Sequence, residues 1–291
     1  MGTFSLETAL YLRIISFNIR YATTKRDKGE EPWAVRCPRI CNQLAFNVVG
    51  RSSFICLQEV LYSQLLDIQD HLGPNWAHIG IGREDGKTAG EFSPIFYDTN
   101  TWRCERSKTF WLSETPEKPS RGWDAVLERI VTMGSFQHKQ TGARVIVMDT
   151  HFDHIGVKAR EESSKLILKL AESWINEGDD DENGPRPTAF LAGDFNSTPE
   201  DKGYRTITGP ESGMKDIFTL VPSQERYGNE HTYTSFGDPD KKPTRIDFLF
   251  AKDTRGVYFL TFGVLSNIFE DKVYLSDHRA IVADMYIPVS P

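Results

Sequence analysis

The sequence predicts an α/β protein with mixed or antiparallel sheets, and three observations predict it. β-rich apolar runs and amphipathic helical stretches interleave along all 291 residues. Several neighbouring strands are joined by connections too short for the crossover helix that parallel pairing needs. No repeat and no Gly/Ser-rich linker divides the chain, so residues 1–291 are read as one domain.

In chain order, residues 12–17 (LRIISF) form a β-rich run that ends at Asn18. Residues 23–32 are charged and loop-like, and residues 33–49 carry Val35, Ile40, Leu44 and Val48 at helical spacing. Residues 54–57 read as a buried strand ending in Gln58-Glu59. Residues 62–72 read as a helix with Leu65, Leu66, Ile68 and Leu72 inward. A strand over 76–81 leads into a glycine-punctuated loop, GREDGKTAG over 82–90, which carries Arg83 and Lys87. The next strand, 92–97, is preceded by Glu91 and ends at Tyr97. Residues 108–129 are a long, proline-bearing connection with Phe110, Trp111 and Trp123.

Strands over 130–137 and 144–149 meet at a turn, Gln140-Thr141-Gly142, and the second runs into Thr150-His151-Phe152-Asp153-His154. Residues 159–175 are an amphipathic helix with Leu166, Ile167, Leu170, Trp174 and Ile175 on its apolar side. The acidic stretch 178–187 imitates the start of a calcium loop through Asp179, Asp181, Asn183 and Gly184. Phe190 stands where that loop requires a bidentate Glu, so the stretch is read as a solvated loop. The run 189–192 ends at Gly193. A helix near 200–206 and a loop to about 244 precede strands over 245–250 and 257–265. Ser276-Asp277-His278 opens the last strand, 280–287.

A composition of 39% hydrophobic and 26% charged residues describes a soluble globular chain, and no apolar run approaches the ~20 residues of a membrane span. The opening residues, MGTFSLETALYLR, lack a basic segment followed by an apolar core, so no secretory signal is read. Cys37 and Cys41 lie one helical turn apart without a second pair to complete a zinc site. Cys56 sits in an apolar strand. With Cys104 they are read as reduced thiols of an intracellular (cytoplasmic or nuclear) monomer. A net charge of −7 argues against a permanent basic grip on nucleic acid. It leaves phosphate substrates open, because a bound divalent metal reverses the local field. Arg83, Lys87, Lys118 and Arg121 are too few for a long duplex.

The informative feature is where the polar residues fall. Asn18, Glu59, His151, Asp194, Asn196, Asp247, Asp277 and His278 all follow or interrupt β-like apolar runs. In TAFLAGDFNSTP, Asp194 and Asn196 alternate about Phe195, so on an extended backbone they share a face and hold a water or a substrate oxygen. The same pair can instead make turn hydrogen bonds. Asp247, inside RIDFLF, needs a partner to be buried, and His278 is a natural one. Hard oxygen ligands in a sparse set suit Mg²⁺ or Mn²⁺ better than a dedicated protein cage. Zinc-ligand spacing and a G-x-S-x-G elbow are both missing from the sequence.

The motifs ISFNIRY, LQE, THFDH, GDFNSTP, RIDFLF and SDH, in this order, resemble the endonuclease/exonuclease/phosphatase superfamily of the deoxyribonuclease I-like fold. The resemblance covers a core of about residues 12–287. It implies a four-layer αββα sandwich of two mixed, mainly antiparallel sheets with the site at one edge. It also implies a metal held by Glu59, Asn18 and Asp277. Asp194, with Asn196, would orient or deprotonate the attacking water, and His278 with Asp247 would stabilise or protonate the phosphoryl oxygens. His151 matches the second histidine of deoxyribonuclease I, with Glu91 at the place of its carboxylate partner, a pair for protonating the leaving alkoxide. The apurinic-endonuclease branch lacks that histidine.

Three further residues are read as substrate contacts, each with a plainer alternative. Arg129 either clamps a phosphate or makes a surface salt bridge. Tyr97 either reaches phosphate from its strand end or lies in the core. Trp123, like Trp111, either stacks a flat leaving group or pins its loop. His154 is read as support for the site. The expected activity is hydrolysis of phosphate esters by in-line water attack, first of all of a phosphodiester in nucleic acid or a small molecule. A phosphomonoesterase of a sugar or inositol phosphate is the alternative. The rival from another class is a binding module that has lost the chemistry, opposed by the presence of Glu59, Asp194 and His278 together.

Overall fold

A computed structural model describes residues 9–177 and 186–289, so the calcium-loop-like stretch at 179–184 and the first eight residues lie outside the described residues. The strands are β1 (Ala9–Asn18), β2 (Ser53–Gln58), β3 (Trp76–Ile79), β4 (Ile95–Asp98), β5 (Trp102–Trp111), β6 (Ile130–His138), β7 (Arg144–His151) and β8 (Thr188–Asp194). They are followed by β9 (Met214–Asp216), β10 (Arg226–Gly228), β11 (Asp247–Lys252), β12 (Tyr258–Val264) and β13 (Ile281–Pro288). The helices are α1 (Trp33–Val48), α2 (Tyr62–Leu72), α3 (Val157–Glu177), α4 (Lys202–Ile207) and α5 (Ile217–Leu220).

A seven-stranded sheet, in the order β10-β12-β13-β1-β2-β4-β3, packs on a six-stranded sheet, β5-β6-β7-β8-β11-β9. Strand alternation divides the apolar residues between layers. Ile14 of β1 and Val145 and Val147 of β7 point between the sheets. Ile15 of β1 points outward onto Ile40 and Leu44 of α1 and Leu65 and Ile68 of α2. Ile146 and Met148 of β7 point outward onto Ile167, Ala171 and Trp174 of α3. The result is the αββα sandwich that the sequence motifs implied.

Strand polarity places the polar residues. β1 runs parallel to β2, pairing Asn18 with Gln58, so Glu59 emerges beside Asn18. β7 runs parallel to β8, pairing His151 with Asp194, and β11 returns antiparallel with Asp247 opposite Asp194. Gly193 allows the close approach of β7 and β8, because a Cβ there would lie 2.2 Å from the Thr150 carbonyl oxygen.

Two stretches differ from the sequence reading. Residues 102–111, whose first part went unassigned and whose end was read as connection, form the edge strand β5; its alternating exposed charges conceal the strand. The loop to about 244 contains β9, α5 and β10, all too short to carry a periodic signal.

One buried carboxyl lies between the sheets. Asp149 of β7 is fully buried and its Oδ1 accepts from Gln58 Nε2 of β2 at 2.7 Å. Burial holds its pKa well above the usual carboxylate range, so the folded protein keeps the proton. The unfolded chain releases that proton above about pH 4, so stability falls as pH rises from there toward the folded pKa, by about 1.4 kcal/mol per pH unit. Asp149→Asn keeps an acceptor for Gln58 and has no proton to lose. Its melting temperature is expected to exceed the wild-type value at pH 8, with the difference shrinking toward pH 4. A variant less stable at pH 8 than the wild type would contradict a neutral Asp149.

Candidate active site

Asn18 ties the two sheets together at their shared edge. Its Nδ2 donates to Glu59 Oε1 and to Asp194 Oδ2, each at 3.0 Å. Ser276 anchors the Ser-Asp-His turn to the same point, its Oγ donating to the Asn18 carbonyl at 2.7 Å and accepting from His278 N at 3.1 Å. Three residues here adopt left-handed backbone that side chains disfavour: Arg20 (φ 60°), Glu59 (φ 57°) and Asn196 (φ 43°).

Asp194 and Asn196 do not alternate along a strand. β8 ends at Asp194, and Asn196 turns back so that its N–H donates to Asp194 Oδ1 at 2.9 Å. The turn delivers the Asn196 amide to the carbonyl of Phe152 and to His151 Nε2, both at 3.0 Å. The Phe152 bond fixes the amide as a donor on that side, so His151 Nε2 accepts and its proton sits on Nδ1.

The two histidines carry different charge. His278 Nδ1 bonds to Asp247 Oδ2 at 2.8 Å, and its Nε2 lies 3.6 Å from Asp194 Oδ2. Burial opposes its charge, but Asp247 and Asp194 outweigh that and raise its pKa well above the ordinary value, so it is an imidazolium at neutral pH. His151 is pushed down to about 3, by burial first and then by Arg129, so it is neutral. Asp194 is raised by burial and by Asp247, against the pull of both histidines. The expected Glu91–His151 pair is not closed: Oε2 lies 3.7 Å from Nδ1, and neither atom has a hydrogen-bond partner. A neutral His151 ring is a poor proton donor.

Glu91 is held instead by Arg83, whose Nη2 donates to Glu91 Oε1 at 2.7 Å. Arg83 is only 6% exposed, while Glu84, Asp85, Lys87 and Thr88 of the same loop are exposed. Trp111 pins that loop, its indole N–H donating to the Arg83 carbonyl at 2.7 Å. Arg129 is 3% exposed, which excludes the surface salt bridge. It reaches Asp153 and bonds His154 Nδ1 at 3.0 Å. Arg83, Arg129, Glu91 and His151 line one small hollow, with Arg83 Nε and Arg129 Nη1 unpartnered by protein.

Two expected contacts fall elsewhere. Tyr97 pairs with Phe54 near the start of β2 and packs on Phe136 in the core between the sheets. Because β4 runs antiparallel to β2, its C-terminal end lies away from Glu59, and it is Glu91, before the strand, that reaches the site. Trp123 is half-buried on the loop whose Val126 and Leu127 amides donate to Asp153; no ring contact of Trp123 with the site is present among the described residues.

Among the described residues, two groups have ligating atoms within 4.8 Å of one another: Glu59 with His151 and Asp194, and Asp194 with Asp247 and His278. The second is occupied by its own imidazolium. The first offers the carboxylate oxygens of Glu59 and Asp194, the hard donors that Mg²⁺ or Mn²⁺ prefers, while the expected Asn18 oxygen is turned away and accepts from the Arg20 N–H. Asp277 joins neither group, but burial and repulsion from Glu59 hold it up at about 6, against the pull of His278. A divalent cation would relieve that repulsion, so the donor set fits the metal. A broad surface groove beside α1 and β12 has none of these groups in its lining.

Residues 15–278 match the model of the Endonuclease/Exonuclease/phosphatase family. An endonuclease/exonuclease/phosphatase family protein from Bacteroides thetaiotaomicron is 31% identical, with a TM-score of 0.84 over 97% of this chain and 99% of that one. Its counterpart from Bacteroides vulgatus is 34% identical, with a TM-score of 0.83 over 94% and 98%. The mannosyl-6-phosphatase Bt3783 from Bacteroides thetaiotaomicron VPI-5482 is 32% identical, with a TM-score of 0.80 over 94% and 99%. No curated protein matches the chain. With its motifs, its two-sheet sandwich and this match over most of its length, the chain belongs to the endonuclease/exonuclease/phosphatase family.

Proposed function

We propose that this chain is a Mg²⁺- or Mn²⁺-dependent phosphomonoesterase acting on a small phosphorylated sugar or polyol. The observation that carries the reading is the 32% identity, over 94% of this chain, to a mannosyl-6-phosphatase. The net charge of −7 gives no support to a long nucleic acid. The diester expected from the sequence becomes the alternative substrate.

In this reading Glu59 and Asp277 would hold the metal, with the Asn18 amide orienting Glu59 and Asp194 beside it, and the metal would supply a Lewis acid toward the phosphoryl oxygens. Asp194, with its raised pKa, takes a proton from the attacking water. Asn196 fixes the tautomer of His151, whose ring is held neutral by burial and Arg129. His278, charged and oriented by Asp247, stabilises the transition state and protonates the leaving oxygen.

Phosphate release from hexose 6-phosphates and p-nitrophenyl phosphate, compared with turnover of bis-p-nitrophenyl phosphate, tests the substrate class. Monoester turnover is expected with Mg²⁺ or Mn²⁺ and is lost in EDTA, and His278→Asn and Asp194→Asn each lower kcat about 10²–10⁴-fold. Diester turnover without monoester turnover would reverse the assignment. Absence of both activities, with His278→Asn unaltered in fold, would favour the binding module.

A further inference from the structure

We propose that Thr232 is a positioning residue that sets how Asp247 and His278 meet. The proposal rests on the role given to His278 above. The two members of that pair belong to different sheets. Asp247 begins β11 of the six-stranded sheet, and His278 lies in the turn before β13 of the seven-stranded one. Among the described residues no strand ladder joins these two strands, and the Asn18–Asp194 bond between the sheets touches neither member of the pair. Nor is Asp247 oriented by further bonds of its carboxylate: Oδ2 is committed to His278 Nδ1, and Oδ1 has no hydrogen-bond partner. Its backbone therefore has to be held in place, and so does that of the histidine.

Thr232 holds both. It is fully buried, and its Oγ1 accepts from the Ile246 N–H at 3.0 Å and from the Asp247 N–H at 3.1 Å. Its carbonyl accepts from the Arg279 N–H at 2.7 Å, so the same residue grips the peptide that follows His278. The two accepted N–H groups take up both lone pairs of the hydroxyl oxygen. Without Oγ1 the Ile246 and Asp247 amides would lose this acceptor, and a buried amide shifts the backbone to find another.

The next two residues extend the grip. Tyr233 bridges Thr244 on one side and His278 on the other, and its ring centre lies 5.0 Å from that of His278. Thr234 donates from N and from Oγ1 to the Asp277 carbonyl at 2.6 and 2.9 Å, and its Oγ1 accepts from Asn267 Nδ2 at 2.8 Å. Residues 232–234 thus form a strap between the start of β11 and the Ser-Asp-His turn. The strap decides where the carboxylate stands behind the imidazole, and with it where His278 Nε2 points. A misplacement of about 1 Å at a reacting group costs on the order of 10²-fold in rate. Thr232 acts through Asp247 and His278.

Thr232→Val keeps the shape and removes the hydroxyl, and Thr232→Ser restores it. Both are assayed on whichever of the two p-nitrophenyl esters the wild type hydrolyses. In Thr232→Val kcat is expected to fall about 10²-fold with KM unchanged, and in Thr232→Ser to return to near the wild-type value. Proton NMR of the same samples reads the His278 Nδ1–H, assigned by its loss in His278→Asn. Its downfield resonance is expected to move in Thr232→Val and to be restored in Thr232→Ser, which a loss of stability alone would not produce. Wild-type kcat in Thr232→Val would overturn the proposal, and so would a loss of kcat with that resonance in place. If Thr232→Val does not fold, Thr232→Ser and amide exchange in the wild type decide. A folded Thr232→Ser with kcat lowered about 10²-fold, or Ile246 and Asp247 amides that exchange as fast as exposed loops, would reject the assignment. Turnover of neither ester by the wild type, or full turnover by His278→Asn, would instead overturn the hydrolase reading and this proposal with it.

Discussion

The site depends on one carboxylate. Asp194 is 2% exposed and stands where the two sheets meet, accepting from Asn18 of one sheet and from the turn at Asn196 of the other. His151 Nε2 and His278 Nε2 lie 3.5 and 3.6 Å from the same oxygen, Oδ2. A single buried charge cannot support two imidazolium ions at that distance. Asp247 behind His278 and the arginines behind His151 decide which ring is charged. The division of labour at the site follows from what stands behind each ring.

The sandwich serves this arrangement through strand polarity. Two parallel pairs, β1–β2 and β7–β8, end together at one edge, and each ends in a polar residue. The left-handed turns after these strands aim Glu59 and Asn196 back into the site, at a backbone cost that the packed sheets sustain. Gly193 and the Asn18–Asp194 bond set how closely the strand ends approach.

Much of this was legible in the sequence, because a polar residue that ends an apolar run announces itself through period-two alternation. Asn18, Glu59, His151, Asp194, Asp247 and His278 could be read that way, and the structure brings them together. Strand direction could not be read. Tyr97 and Glu91 flank the same strand, and only the antiparallel pairing of β4 decides that Glu91 reaches the site and Tyr97 the core. Arg83 and Arg20 were hidden for another reason. Each sits in a charged, loop-like stretch or at its edge, and its burial is created by residues distant in the chain: Trp111 and Glu91 for one, Arg36 and Gln64 for the other. Local composition reads both stretches only as loops, and no pattern within them says which side chain turns inward.

The measurement that tests the account most directly is the protonation state of the two histidines. Nitrogen-15 NMR of the metal-free protein at neutral pH, with the rings assigned through His151→Gln and His278→Gln, reports the charge and tautomer of each imidazole. A doubly protonated His278 and a neutral His151 with its proton on Nδ1 are expected. A charged His151 beside a neutral His278 would contradict this and return the proton donor's role to the Glu91–His151 pair.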